Sequence, residues 1–72
     1  MKPKSEIEGG DFKGELISEH TALDHKVIMR RLSNADGYEV YIEFENDMVD
    51  FYAQCTRKDQ ADEKYKKLMD LD

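Results

Sequence analysis

Residues 38–55 read YEVYIEFENDMVDFYAQC, and the alternation in this stretch decides the fold. Asn46 and Asp47 tolerate left-handed backbone, so a two-residue turn there folds the stretch into an antiparallel hairpin. Phe44 then faces Val49, Ile42 faces Phe51, Val40 faces Ala53 and Tyr38 faces Cys55, all apolar or nearly so. The other face pairs Glu43 with Asp50, Tyr41 with Tyr52 and Glu39 with Gln54. A slip of one residue would exchange the two faces, so the agreement of four successive pairs sets the expected register.

Upstream, SNADG over 33–37 is the strongest turn composition in the chain, with Asn, Asp and Gly all tolerant of left-handed backbone. It joins the hairpin to HKVIMRRL, His25 to Leu32, a run rich in strand-forming residues. Across this loop Leu32 faces Tyr38, Ile28 faces Ile42 and Arg31 faces Glu39. That register points Lys26 and Arg30 toward the covered face. Either their charged heads reach water at its rim, or a bulge turns Val27 and Met29 inward instead. Further upstream, DFKGELISE over Asp11–Glu19 is a strand candidate with Phe12, Gly14, Leu16 and Ser18 on one face. Through a turn at His20–Asp24, Glu19 meets His25, Leu16 meets Ile28 and Phe12 meets Leu32. Gly14 in its middle marks a bulge or a close approach by a neighbouring side chain. Residues 1–10, MKPKSEIEGG, combine charges, a proline and a glycine pair with one large apolar residue, Ile7, and read as a flexible arm ahead of a single domain over 11–72.

Downstream, Thr56 to Asp72 switches to helical spacing, with Ala61, Tyr65, Leu68 and Met69 forming one apolar stripe. Thr56 stands as N-cap with Asp59 three residues on, and Asp62–Lys66 and Glu63–Lys67 are i, i+4 pairs on the wet side. Asp70 and Asp72 oppose the helix dipole, so the last turn is expected to fray. The expected architecture is α+β, a four-stranded antiparallel β-meander with one C-terminal α-helix packed on one face. A sheet with one apolar face needs a cover, and the helix stripe is the apolar surface left to provide it.

Seventeen acidic against 11 basic side chains give a net charge of −6 over 72 residues. That balance opposes direct nucleic-acid binding and association with anionic membranes, and it favours a partner with a basic surface. The single cysteine allows neither an intramolecular disulfide nor a cysteine-rich zinc site, which suits the cytoplasm. No run of 18 apolar residues occurs, and Met1–Gly10 lacks the apolar segment of a signal peptide.

No catalytic signature is present and no cofactor is implied. Cys55 faces Tyr38 in the expected register, with no base to form a thiolate. The acidic set Glu39, Glu43, Glu45, Asp47 and Asp50 lacks calcium-loop spacing. His20, Asp24 and His25, with Glu19 nearby, cluster round one turn and are the closest approach to a metal set, although no helix places the two imidazoles on one face. The uncovered face of the expected sheet carries Ile17, Val27, Met29, Tyr41 and Tyr52, bordered by Glu15, Glu39, Glu43 and Asp50. Aromatics and methionine inside a charged rim have the composition of an interface, so Tyr41, Tyr52, Glu39, Glu43, Asp50, Met29 and Val27 are the candidate partner-binding residues.

The expectation is a small acidic protein-binding module, of the kind phages and mobile elements use to inhibit nucleic-acid-binding proteins by offering carboxylates in place of phosphates. A homodimer joined through the open face or an edge strand is the alternative. A metal-binding protein using His20, Asp24 and His25 comes behind it, and so does single-strand binding through Tyr41, Tyr52 and the cations of 26–31, which the neighbouring carboxylates oppose.

Overall fold

The computed structural model describes residues 1–71; Asp72, the last residue of the expected helix, lies outside them. The described residues form an antiparallel sheet and one C-terminal helix, with five strands in place of the expected four. In chain order these are β1 (Lys2–Pro3), β2 (Leu16–Thr21), β3 (Lys26–Arg31), β4 (Tyr38–Glu43), β5 (Met48–Cys55) and α1 (Lys58–Met69). Strands β2 to β5 follow one another across the sheet as a meander, and β1 joins it on the outer side of β5, where Lys2 opposes Val49 and Pro3 opposes Met48.

The β4–β5 hairpin turns where the sequence predicts. Asn46 and Asp47 both take left-handed backbone, with φ of 62° and 59°, and the Met48 N–H donates to the Glu45 carbonyl. Positive φ at both central residues suits the right-handed twist of the flanking strands. Away from the turn the expected register holds, with Tyr38 opposite Cys55, Glu39 opposite Gln54 and Val40 opposite Ala53. Between them it shifts, so that Ile42 opposes Asp50 and Glu43 opposes Val49. Phe51, with φ of 54°, is the extra residue of a β-bulge. The bulge corrects two expectations at once. Phe51 is 57% exposed instead of facing Ile42 in the core, and Val49 is buried on the Tyr41 side of the sheet.

Strand β3 lies one residue from its expected register, with Val27 opposite Ile42, Ile28 opposite Tyr41, Met29 opposite Val40 and Arg30 opposite Glu39. The connecting loop takes in Leu32, whose N–H donates to the Gly37 carbonyl at 2.9 Å. Val27 and Met29 therefore face the same way as Val40 and Ile42, through displacement of the whole strand and not a local bulge. The β2–β3 turn also moves, closing at Ala22–His25 with a 2.8 Å bond from the Ala22 N–H to the His25 carbonyl. Glu19 consequently opposes Ile28, and the irregularity in β2 falls between Leu16 and Ser18. Residues 11–15 are not strand. Gly14 marks a close approach, but to backbone: a Cβ there would lie 1.5 Å from the Arg31 carbonyl oxygen.

Helix α1 covers one face as expected, with Ala61 buried and Tyr65 and Leu68 packed on Met29 and Val40 beside Ile17, Tyr38 and Cys55. It begins after Arg57, which makes no side-chain cap, so Thr56 does not cap it. Lys67 pairs with Glu63 at 3.5 Å, while Asp62 takes Lys58 at 3.2 Å. The opposite face is covered too. Ile28, Tyr41 and Val49 form a second core there, closed by Ile7, Phe12 and Tyr52. Residues 1–10, expected as an arm outside the domain, supply β1, a 3₁₀ turn over Lys4–Glu6 and Ile7. With both faces buried, consecutive apolar residues in Val27-Ile28-Met29 and Val40-Tyr41-Ile42 all find cover, each large side chain contributing about 1.5–3 kcal/mol.

Candidate functional site

The strip expected on an open sheet face does not form. Val27 and Met29 lie on the helix side and Tyr41 and Glu39 on the other, and none of the four has accessible surface. Tyr52, Glu43 and Asp50 are half-buried. The physical reason is a polar lock that draws residues 9–14 over the Tyr41 face. Glu39 Oε1 accepts from the Asp11 N–H at 3.3 Å and from the Tyr52 hydroxyl at 2.6 Å, and Oε2 accepts from the Phe12 N–H at 2.8 Å. Gln54 Nε2 donates to the Tyr52 oxygen at 2.8 Å and to the Gly9 carbonyl at 2.9 Å. A buried carboxylate is tolerated where hydrogen bonds replace the lost water, and here backbone amides supply them.

Aromatic packing completes the lock. The Phe12 ring stands edge-on to Tyr41, centroids 5.1 Å apart, and lies 5.3 Å from Tyr52, while Tyr41 and Tyr52 are 5.9 Å apart. Arg30 ties in the next turn of chain, its Nε donating to the Tyr41 oxygen at 3.2 Å and its Nη1 to the Gly14 carbonyl at 3.0 Å. Burial pushes the Tyr41 hydroxyl above its ordinary pKa, with Arg30 opposing the shift. Burial pushes Tyr52 up strongly as well; its bond from Gln54 opposes this and its bond to Glu39 adds to it. Asp11 anchors the segment at its other side, accepting from the Ser33 hydroxyl at 2.7 Å and from the Ser33 N–H. These bonds hold its carboxyl below the usual range. The network ties residues 9–14 to the second core.

The accessible chemistry lies at the turn end of the sheet. The β2–β3 and β4–β5 turns bring together Asp24, Glu43, Glu45 and Asp47, with Lys26 among them. Lys4 reaches Glu43 at 3.3 Å and Asp47 at 3.8 Å, Asp50 takes the N-terminal amine at 3.8 Å, and Lys26 lies 4.0 Å from Glu19. Carboxylates outnumber lysines there. Beside them runs a shallow groove lined by Leu23, His25, Ile42, Phe44, Phe51 and Leu71. Leu23 is fully exposed, and Phe51 and Leu71 are 57% and 60% exposed. The His25 ring lies 5.8 Å from that of Phe44 and its Nδ1 bonds Asp24 Oδ1 at 2.6 Å. Sequence reasoning missed this groove. Its one signal was Leu23, a large apolar residue within the predicted turn His20–Asp24.

Among the described residues no group of three or more His, Cys, Asp or Glu side chains is placed to hold a metal ion. His20 stands in β2 opposite Val27, while Asp24 and His25 belong to the turn. Cys55 is half-buried against the Met29–Val40 core. No helix among the described residues is long and apolar enough to cross a membrane. No family model, no curated protein and no solved structure matches the chain.

Proposed function

We propose that the chain is a small acidic protein-binding module that acts by occupying a basic surface of another protein, in the manner of a phage- or mobile-element-type inhibitor of a nucleic-acid-binding protein. The observation that carries this is the excess of carboxylates at the turn end of a chain whose net charge is −6. Such a surface steers a basic partner toward it and repels nucleic acid. Of the residues first expected in the contact, Glu43, Asp50 and Tyr52 retain accessible surface, and Glu45 and Asp47 join them.

Affinity capture from the native host tests this, using the parent chain beside a variant with Glu45, Asp47 and Asp50 changed to lysine. The proposal expects a basic protein on the parent, released by salt and missing from the variant. Capture that ignores both salt and charge reversal contradicts it.

One observation favours self-association as a second reading. Among the described residues strand β2 has a neighbour strand on one side only, so its outer edge offers backbone groups for pairing with another copy. Sedimentation at high concentration decides this, since a monomer there excludes a constitutive dimer. The metal reading at His20, Asp24 and His25 has no comparable observation behind it.

A further inference from the structure

We propose that the groove at the turn end is the contact surface itself, and that its occupant is a basic amphipathic segment of the partner. Large apolar side chains of that segment seat among Leu23, Phe44, Phe51 and Leu71, and its lysines or arginines reach Asp24, Glu45 and Asp47. This rests on the acidic-module reading and goes further by naming the surface and the chemistry it selects.

Three large apolar side chains around one groove stay outside. Leu23 sits in a turn, where a polar residue is usual. Phe51 is held out by a bulge whose left-handed backbone is unfavourable for a phenylalanine. Neither side chain belongs to either core. Aromatic and leucine side chains inside a charged rim make up the kind of patch in which binding energy concentrates.

The charged half decides the occupant. The side chains of Asp24 and Asp47 are 79% and 76% exposed beside the groove, and Glu45 is exposed between the same turns. A second copy bringing the same acidic end to this groove would meet like charge, and an anionic membrane or a nucleic acid would be repelled in the same way. A segment carrying both apolar and cationic side chains satisfies both halves.

The test uses a labelled synthetic helical peptide built from leucine and lysine, together with a serine-for-leucine analogue of equal charge and a glutamate-for-lysine analogue. Binding is read by fluorescence anisotropy, and the site by nitrogen–proton correlation spectra of the full chain. The leucine–lysine peptide is expected to bind and to shift the amides of Leu23, Phe44, Phe51 and Leu71, with both analogues at least about tenfold weaker. The double variant Leu23→Ser/Phe51→Ser and the double variant Asp24→Lys/Asp47→Lys should each weaken binding by about tenfold or more, about 1.4 kcal/mol. Because the replaced side chains lie outside the core, thermal melts should show both variants folded. Binding that survives the serine substitutions but is lost on charge reversal, or shifts confined to another surface, overturns the groove and leaves the acidic module standing. Equal binding of the lysine and glutamate peptides overturns the proposed occupant. No binding of either lysine peptide overturns both proposals.

Discussion

Replacing Glu39 by glutamine keeps the side chain's shape and exchanges one buried carboxylate oxygen for an amide nitrogen. The carboxylate has three donors to satisfy: the Asp11 N–H and Tyr52 hydroxyl at Oε1, and the Phe12 N–H at Oε2. An amide offers one acceptor oxygen and a donor group. Turned toward Phe12, its oxygen leaves the Asp11 N–H facing the amide NH2 group; turned the other way, it leaves the Phe12 N–H so. Either orientation strands one backbone donor, which costs about 1–3 kcal/mol, and the remaining bonds lose the strengthening that a charged acceptor gives. Relief from burying a charge offsets part of this. We expect a net loss of about 2 kcal/mol, which for a domain of this size lowers Tm by roughly 8–16 °C. Tyr52→Phe should cost about 1 kcal/mol, and the double variant less than the sum, because both act on one network. Urea and thermal unfolding of the three variants measure these losses. A glutamate on an open sheet face would change stability by no more than about 0.5 kcal/mol, so a Glu39→Gln melt indistinguishable from the parent would refute the lock.

Three further outcomes follow from particular positions. Gly14→Ala drives a methyl group into the Arg31 carbonyl and should destabilise by about 1–3 kcal/mol or more in a denaturant melt. Ile42→Ala, in the core, should cost about 2–5 kcal/mol, whereas Phe51→Gly, which relieves left-handed backbone at an exposed site, should stay within about 1 kcal/mol of the parent; a loss at Phe51 matching that at Ile42 would contradict the bulge. The pH profile should fall away at both ends. Asp11 is more acidic folded than unfolded, so its contribution is present above the unfolded value of 3.8 and is lost as pH drops through the lower folded value. Asp11→Asn should flatten the acid limb of a plot of urea midpoint against pH. Tyr41 and Tyr52 are raised above 10, so their contribution is present below pH 10 and is lost as pH climbs toward the folded values. Tyrosinate absorbance from both rings should then appear together with unfolding and not before it.

The parts of the fold legible in the sequence are those with local chemistry. Asn46 and Asp47 announce a turn because few residue pairs accept two successive left-handed conformations. The helix is legible because Ala61, Tyr65 and Leu68 recur on one face. What escaped depends on residues distant in sequence. A bulge at Phe51 has no composition cue, and it turns Val49 to the opposite side. The run Val27-Ile28-Met29 suits either register equally well, so alternation there could not choose one. Taken with Val40-Tyr41-Ile42, that run did hold a signal, since consecutive apolar residues in adjacent strands point to burial on both faces. Alternation puts Glu39 on the face opposite Val40, and only the placement of the Asp11 and Phe12 amides makes its burial there tolerable. Hiding Glu39 and Tyr41 removed the centre of the expected partner surface. The groove proposed in its place was not legible in the sequence, because Leu23, Phe44, Phe51 and Leu71 come from separate segments that only the folded chain unites.

That the Tyr41 face lies beneath the N-terminal segment is tested most directly by proton–proton Overhauser contacts in the full chain. Ring centroids 5.1 and 5.3 Å apart require cross-peaks from the Phe12 ring to those of Tyr41 and Tyr52. Their absence, with the Phe12 and Tyr41 rings both open to solvent, would contradict the account and return the tyrosine face to the surface.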